Sequence, residues 1–301
     1  MDALVVGTSQ GVRVLEERHG KWQEVAHGID LEISALVTRG EVIYAGTYGH
    51  GIYVSTDRGS AWREWNSGLE FPYVRTLALD PRDADLIYAG TEPAALYAAR
   101  PGEAWSEIQA VRALPGAAEW SLPYSPRAGA LRSFDFLADG TLVGAVEVGG
   151  VIWKADRAGW QINARGLHPD VHAVAHDGEW VLAATGGGIY RTREMGKKWE
   201  RVENDYTRAL LVVPDLILAG PAKSVGERGR IIVSRDHGAT WTTASDGLQI
   251  PIPTMFEHFL AFGDEIFAVT EDGEVYHSPR DAIRWTRVLE EIPNVHPIAV
   301  L

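Results

Sequence analysis

Two octapeptides decide the fold of this 301-residue chain: Ser55-Thr56-Asp57-Arg58-Gly59-Ser60-Ala61-Trp62 and Ser234-Arg235-Asp236-His237-Gly238-Ala239-Thr240-Trp241. Both follow the pattern Ser-x-Asp-x-Gly-x-x-Trp, and residues 192–199 are a conservative variant of it. A short Asp side chain accepts N–H groups within its own turn, Gly tolerates positive φ, and Trp buries a large apolar face. The pattern is therefore typical of a tight turn that ends beside a buried Trp.

The Trp residues recur along the chain at a nearly constant interval. Gaps of 40, 43, 55, 39, 42 and 44 residues separate Trp22, Trp62, Trp105, Trp160, Trp199, Trp241 and Trp285. These gaps are close to the length of one four-stranded propeller blade. Alternating β-branched and aromatic residues lie between Gly-rich turns around each Trp, without the 3.6-residue spacing of amphipathic helices. The sequence thus predicts an all-β, seven-bladed β-propeller with four-stranded antiparallel blades, forming one domain over residues 1–301.

The octapeptides resemble the Asp-box, or bacterial neuraminidase, repeats of a propeller superfamily that includes sialidases and photosystem II stability/assembly factors. The resemblance covers essentially the whole chain and implies that Asp57 and Asp236 are folding elements remote from the ligand-binding face. It also implies an axial arginine patch that contacts a protein partner, matched here by Arg75, Arg132 and Arg208. Sialidase activity is not expected, because those enzymes have six blades and an Arg-Ile-Pro segment that this chain lacks near its N-terminus.

The two ends of the chain are expected to meet in blade 1. The first repeat begins at Ala3 without an opening strand, whereas residues 294–301 resemble the opening strands of other blades. The C-terminal strand is therefore predicted to complete blade 1, which removes exposed sheet edges. Such a ring needs no strand-pairing partner, so a monomer is expected.

Composition restricts the possible functions. The formal net charge of −13 disfavours binding to phosphate backbones, so no nucleic-acid partner is expected. The absence of cysteine excludes disulfides, thiolate metal sites and cysteine nucleophiles. Residues 1–7 contain neither a basic region nor a long apolar run, so we expect no signal peptide and no membrane span. A cytoplasmic location is the corresponding expectation.

A column of polar residues is expected around the mouth of the central channel. When the seven innermost strands are aligned, their middle positions are Ser34, Arg75, Arg132, His172, Arg208, Glu257 and His296, and all but Ser34 are ionisable. Three guanidinium groups converging there would suit a carboxylate, phosphate or sulfate.

A second column of residues, along the second strands, offers an alternative to this anion site. It places Glu92 beside Arg75 and Glu147 beside Arg132, so these two arginines could instead form ion pairs within their own blades. Arg208 has no Glu in its own blade and is expected to keep the charge available for an anion. His172 and His296 could relay protons or could be polar lining satisfied by water. No metal site and no cofactor are expected, because the two histidines lie in non-adjacent blades and no short ligand motif is present.

The widest Trp-to-Trp gap contains a long loop, at about residues 106–130. Long ordered loops in compact folds are often functional. The loop is either a lid, in which Trp120 or Tyr124 stacks on a ligand, or a packed surface excursion. A shorter insertion at residues 221–230 adds Lys223 and Arg228 to the same predicted face.

Two functions remain open from the sequence. The first is a binding module that recognises an anionic small ligand or a protein segment at the channel mouth, since a propeller fold alone does not imply catalysis. The alternative is an enzyme, a lyase or hydrolase, acting on a small anionic substrate. In that case Arg132 and Arg208 would hold the anion, and Glu147 or His172 would act as general acid or base. A strongly perturbed pKa at Glu147 or Glu257 would favour the enzyme.

Overall fold

The fold is a ring of seven four-stranded antiparallel sheets. The computed structural model describes residues 3–122, 129–155 and 159–301, and within them it shows the predicted seven-bladed propeller. The single helical turn in these residues is a 3₁₀ turn, Ala117–Glu119. No helix in the described ranges is long and apolar enough to span a bilayer.

The strands of blades 1 to 4 are as follows, with the innermost strand of each blade named first: β28 (Val295–Val300), β1 (Ala3–Thr8), β2 (Gly11–Arg18), β3 (Lys21–Gly28); β4 (Ile33–Arg39), β5 (Val42–Thr47), β6 (Ile52–Ser55), β7 (Arg63–Glu64); β8 (Tyr73–Asp80), β9 (Asp83–Glu92), β10 (Leu96–Ala99), β11 (Ser106–Glu107); β12 (Ala130–Phe136), β13 (Leu142–Glu147), β14 (Gly150–Ala155), β15 (Gly159–Ile162). Blades 5 to 7 contain β16 (Val171–His176), β17 (Val181–Thr185), β18 (Gly188–Thr192), β19 (Glu200–Glu203); β20 (Tyr206–Val213), β21 (Leu216–Ala222), β22 (Ile232–Ser234), β23 (Thr242–Thr243); β24 (Phe256–Phe262), β25 (Glu265–Thr270), β26 (Val275–Pro279), β27 (Thr286–Val288).

The C-terminal strand closes blade 1, as predicted. β28 pairs antiparallel with β1, with Leu4 opposite Val300 and Val6 opposite Ile298. The backbone N–H of Leu301 donates to the carbonyl of Ala3 at 2.8 Å. Both ends of the chain therefore lie in one hydrogen-bonded sheet.

The core of the molecule lies between the blades. Among the described residues, the buried apolar side chains form seven clusters, and each cluster joins two neighbouring sheets of the ring. The cluster between blades 7 and 1, for example, includes Leu4, Phe267 and Ile298. Strands such as β1, β13 and β21 are buried at every position, because both faces of a blade pack on a neighbour.

The repeated Trp residues act at these interfaces together with Gly-Leu pairs that follow the fourth strand of a blade, such as Gly68-Leu69 and Gly247-Leu248. The indole N–H of Trp105 donates to the carbonyl of Trp65 at 2.8 Å, and that of Trp285 donates to Ala244 at 2.8 Å. Each of these bonds ties a Trp to the end of the preceding blade. Gly68 has φ +81°, and a Cβ there would lie 2.1 Å from the carbonyl oxygen of Trp105. The Gly that precedes Leu is thus required both by its backbone conformation and by the close approach of the next blade.

The two octapeptides form turns between the third and fourth strands of blades 2 and 6. The Ser55 hydroxyl donates to Oδ1 of Asp57 at 2.8 Å and accepts the N–H of Gly59 at 2.8 Å. Oδ1 of Asp57 also accepts the N–H of Ala61 at 2.9 Å. The second turn has the same bonds at Ser234 and Asp236. Both carboxylates therefore accept hydrogen bonds within their own turns and have a structural role.

Candidate functional site

Each innermost strand carries a β-bulge at the residue predicted to face the channel. The pairing of β4 with β5 passes from Ile33 opposite Thr47 to Ala35 opposite Gly46, leaving Ser34 out of register. The same shift spans all seven ring residues: Ser34, Arg75, Arg132, His172, Arg208, Glu257 and His296. Since a bulge re-aims its side chain, seven successive bulges turn seven polar groups away from the sheets.

The ring residues line one central cavity of about 820 Å³. All seven predicted positions are among its lining residues, which confirms the alignment of the strands. Its described wall carries three arginines, three glutamates and three histidines: Arg75, Arg132, Arg208, Glu32, Glu257, Glu271, His172, His258 and His296. The described wall of the channel is therefore of mixed charge rather than strongly basic.

Two of the arginines form the ion pairs predicted within their own blades. Nη1 of Arg75 lies 3.1 Å from Oε2 of Glu92, whose side chain is fully buried. Nη1 of Arg132 lies 3.1 Å from Oε1 of Glu147, which is 4% exposed. The arginines themselves remain partly exposed to the channel. A buried carboxylate thus fixes the position of each of these two guanidinium groups.

The expectation that Arg208 keeps an uncompensated charge is wrong. Arg208 forms an ion pair with Glu257, and its Nη1 lies 3.5 Å from Oε1 of Glu271. Its Nε also donates to the hydroxyl of Tyr206 at 2.9 Å. Both glutamates belong to blade 7, whereas the sequence prediction considered only partners within blade 6. Neighbouring first strands converge at the channel, which brings positions one blade apart within reach of a long side chain.

Glu257 is held in its ionised form. Burial raises the pKa of this carboxyl group, but the charges of Arg208 and Arg132 and the hydrogen bond from Arg208 outweigh burial, so the net pKa lies below its usual range. A carboxylate with a lowered pKa is a poor general acid near neutral pH. Glu257 is therefore better suited to positioning Arg208 than to proton transfer.

Glu147 and His172 lie close together, at the interface of blades 4 and 5. Asp170 joins them, and the three residues can each offer one donor atom such that all three atoms lie within 4.8 Å of one another. Nε2 of His172 is 3.4 Å from Oδ2 of Asp170, but this contact lacks hydrogen-bond geometry. The sequence interpretation missed Asp170, although its position two residues before the ring residue was available as a signal; Tyr206 holds the same position relative to Arg208.

The predicted lid is corrected for Trp120. This side chain is only 6% exposed and packs in the cluster between blades 3 and 4 with Leu96, Leu114 and Val146. This burial matches a packed surface excursion rather than a side chain exposed for stacking on a ligand. Tyr124 lies outside the described residues. In the shorter insertion, Lys223 forms an ion pair with Asp205, with its Nζ 3.1 Å from Oδ1.

The fold and site define a seven-bladed propeller with a polar, mixed-charge channel. No protein-family model and no curated protein sequence matches the chain. Similar solved structures include the photosystem II assembly factor YCF48 from Cyanidioschyzon merolae, with 16% identity, a TM-score of 0.66 and coverage of 90% of this chain and 89% of that one. A structure of YCF48 bound to D1 peptide has 15% identity, a TM-score of 0.62 and coverage of 88% and 84%.

Enzymes are also among the similar structures. An ancestral GH74 enzyme has 14% identity and a TM-score of 0.64 over 89% of this chain, and the GH74 enzyme of Niastella koreensis has 15% identity and a TM-score of 0.63 over 85%. The chain spans only 38% and 45% of the lengths of these two enzymes. At such identities the likeness establishes the seven-bladed fold, which serves both binding proteins and enzymes.

Proposed function

We propose that this protein is a binding module that holds a carboxylate-bearing segment, of a small ligand or of a partner polypeptide, in the mouth of its central channel. The observation that carries the proposal is the convergence of three partly exposed guanidinium groups, each on a β-bulge, in one cavity. A guanidinium group is the side chain best matched to a carboxylate, because its planar N–H donors fit both oxygens.

Pre-organisation supports the proposal. The carboxylates of Glu92, Glu147 and Glu257 fix the arginine side chains before any ligand arrives, which reduces the entropy lost on binding. The side chains of Arg75, Arg132 and Arg208 are 16%, 18% and 17% exposed, so each reaches the channel while its charge is partly desolvated. Hydrogen bonds to such groups are stronger than those on an open surface.

The mixed charge of the wall favours a polypeptide segment over a multiply charged small anion. Glu32 and Glu271 face the same cavity as the arginines and would repel a ligand that carries negative charge alone. A peptide offers a carboxylate to the arginines and amide or basic groups to the glutamates. The similar propeller YCF48 was solved with D1 peptide bound, which supports a polypeptide as the ligand.

Acid–base catalysis receives less support than binding. Glu257 is held ionised, so it is a poor proton donor near neutral pH. Glu147 and His172 lie at the interface of blades 4 and 5, and Glu147 already forms an ion pair with Arg132.

A thermal-shift comparison tests the binding function. Short peptides would be offered with a free C-terminal carboxylate and as the matching C-terminal amides, alongside small mono- and dicarboxylates. A ligand at about 100 times its Kd stabilises the folded state by about 2.7 kcal/mol, which is readily detected. The wild-type protein is expected to respond to free acids and not to the amides.

Two matched double variants locate the site. Arg75→Met/Glu92→Gln removes an ion pair from the channel, whereas Arg112→Met/Glu107→Gln removes a pair, with an N–O distance of 2.5 Å, that does not line it. Each double variant removes both charges of its pair. The first should lose the stabilisation and the second should keep it. A shift that persists in the first double variant, or the absence of any shift in the wild type, would refute the proposal.

A further inference from the structure

We propose that Glu147, Asp170 and His172 form a binding site for a divalent transition-metal ion, with Zn²⁺ as the ion best matched to it. One donor atom from each residue lies within 4.8 Å of the other two. The site is at the interface of blades 4 and 5, beside the channel, and it does not depend on the proposed recognition of a carboxylate.

The backbone brings the three side chains together from two blades. Glu147 is the last residue of β13, and the N–H groups of Gly149 and Gly150 both donate to the carbonyl of Pro169, at 3.1 and 3.2 Å. These bonds tie the turn after Glu147 to the segment that carries Asp170. The N–H of Gly186 then donates to the carbonyl of Asp170 at 2.9 Å. The donor groups are therefore placed by backbone hydrogen bonds and not by chance contact of flexible side chains.

His172 is the observation that points to a ligand. Its side chain is 2% exposed, yet neither ring nitrogen makes a hydrogen bond within the described structure. Buried polar side chains are almost always partnered, because leaving one unpaired sacrifices its hydration without a replacement. An imidazole beside two carboxylates is a set of donors that can coordinate a metal ion.

The three donor groups suit a metal ion of intermediate hardness, such as Zn²⁺. One imidazole nitrogen with two carboxylate oxygens is a combination used by Zn²⁺ and related first-row ions, and three protein ligands leave a further position for water or another group. With bonds of about 2.0–2.2 Å, tetrahedral ligand atoms are separated by about 3.4 Å. The three donors would converge by at most about 1.4 Å from their present spacing, which side-chain rotation can supply.

Arg132 distinguishes this site from a generic carboxylate cluster. Its Nη1 donates to Oε1 of Glu147 at 3.1 Å, so a metal ion would compete with a guanidinium for the same side chain. The positive charge of Arg132 should weaken metal binding. Removal of that charge should then strengthen binding, which is the opposite of what a loss of structure would do.

Calorimetric titration with Zn²⁺ alone, together with the visible absorption of Co²⁺ as a coordination signature, tests the site. The wild-type protein is expected to bind one ion per chain. Asp170→Asn and His172→Gln, both close in size to the native residues, should each weaken binding by about tenfold or more. The control is His277→Gln, because His277 lies 2.6 Å from Glu265 and takes no part in the group of three.

Each outcome decides the proposal. Stoichiometric binding that is lost in Asp170→Asn and His172→Gln, kept in His277→Gln and strengthened in Arg132→Met would support the site. Circular dichroism and the melting temperature would establish that the variants are folded. Failure of the wild type to bind Zn²⁺ or Co²⁺, or equal binding by Asp170→Asn, would overturn it. An Arg132→Met variant without tighter binding would refute coordination by Glu147.

Discussion

Arg208 on β20 and Glu257 on β24 form an ion pair that crosses from blade 6 to blade 7 at the channel wall. Their side chains are 17% and 24% exposed, so both charges are largely removed from water. Such a pair fixes the relative position of two neighbouring blades as well as the direction of the guanidinium group.

Breaking this pair from one side is expected to destabilise the protein. Arg208→Met should lower the free energy of unfolding by roughly 2–4 kcal/mol, because Glu257 would remain in a poorly solvated position without its main partner. Arg208→Met/Glu257→Gln removes both charges and should recover at least half of that loss. Urea unfolding of the two variants measures the difference. A double variant no more stable than the single one would show that the stranded charge is not the cause.

Closure of the ring by β28 predicts a graded effect at Ile298. This side chain is 3% exposed and packs with Leu4, Val6 and Phe267. Ile298→Val should cost about 1 kcal/mol and Ile298→Ala about 3 kcal/mol, because a larger cavity is left between blades 7 and 1. Val25→Ala, at a position 41% exposed, serves as the control and should change stability by less than about 0.5 kcal/mol. Equal effects at the two sites in chemical denaturation would contradict the closed ring.

The turn at Asp236 predicts a dependence of stability on pH. Hydrogen bonds from the side chain and backbone N–H of Thr240 and from Ser234 lower the pKa of Asp236 from 3.8 to about 2. Because the folded-state pKa is below the unfolded value, the stabilisation is fully present above the unfolded pKa and is lost as the pH falls through the folded pKa. The stability advantage of wild type over Asp236→Asn should therefore shrink between about pH 4 and about pH 2. Urea midpoints across this range measure it, and parallel curves for the two proteins would refute the assignment.

Trp120 should matter for stability and not for ligand contact. Trp120→Ala is expected to cost about 3 kcal/mol or more, because a buried indole between blades 3 and 4 would be replaced by a cavity. Ile250→Ala, at a position 47% exposed, is the control and should have little effect on the melting temperature. If Trp120→Ala instead abolished ligand binding at unchanged stability, the stacking role would be restored.

Features set by spacing within one blade were predictable from the sequence. The seven Trp residues fixed the number of blades, and the strand-like residues at the C-terminus indicated the closure with β1. The pairs Arg75–Glu92 and Arg132–Glu147 followed from antiparallel hairpin geometry, which places the start of one strand beside the end of the next. These distances depend on the strand period and on turn length, both of which are local properties of the chain.

The contacts between blades were decided only by the tertiary structure. The pairing of Arg208 with Glu257 and Glu271, the grouping of Asp170 with Glu147 and His172, and the burial of Trp120 all depend on how neighbouring sheets approach one another. The twist and inclination of the blades set that approach, and residues spread over the whole ring determine them together. The sequence by itself therefore determined the ring and the polar column at its centre, whereas packing between blades decided which charges on that column meet.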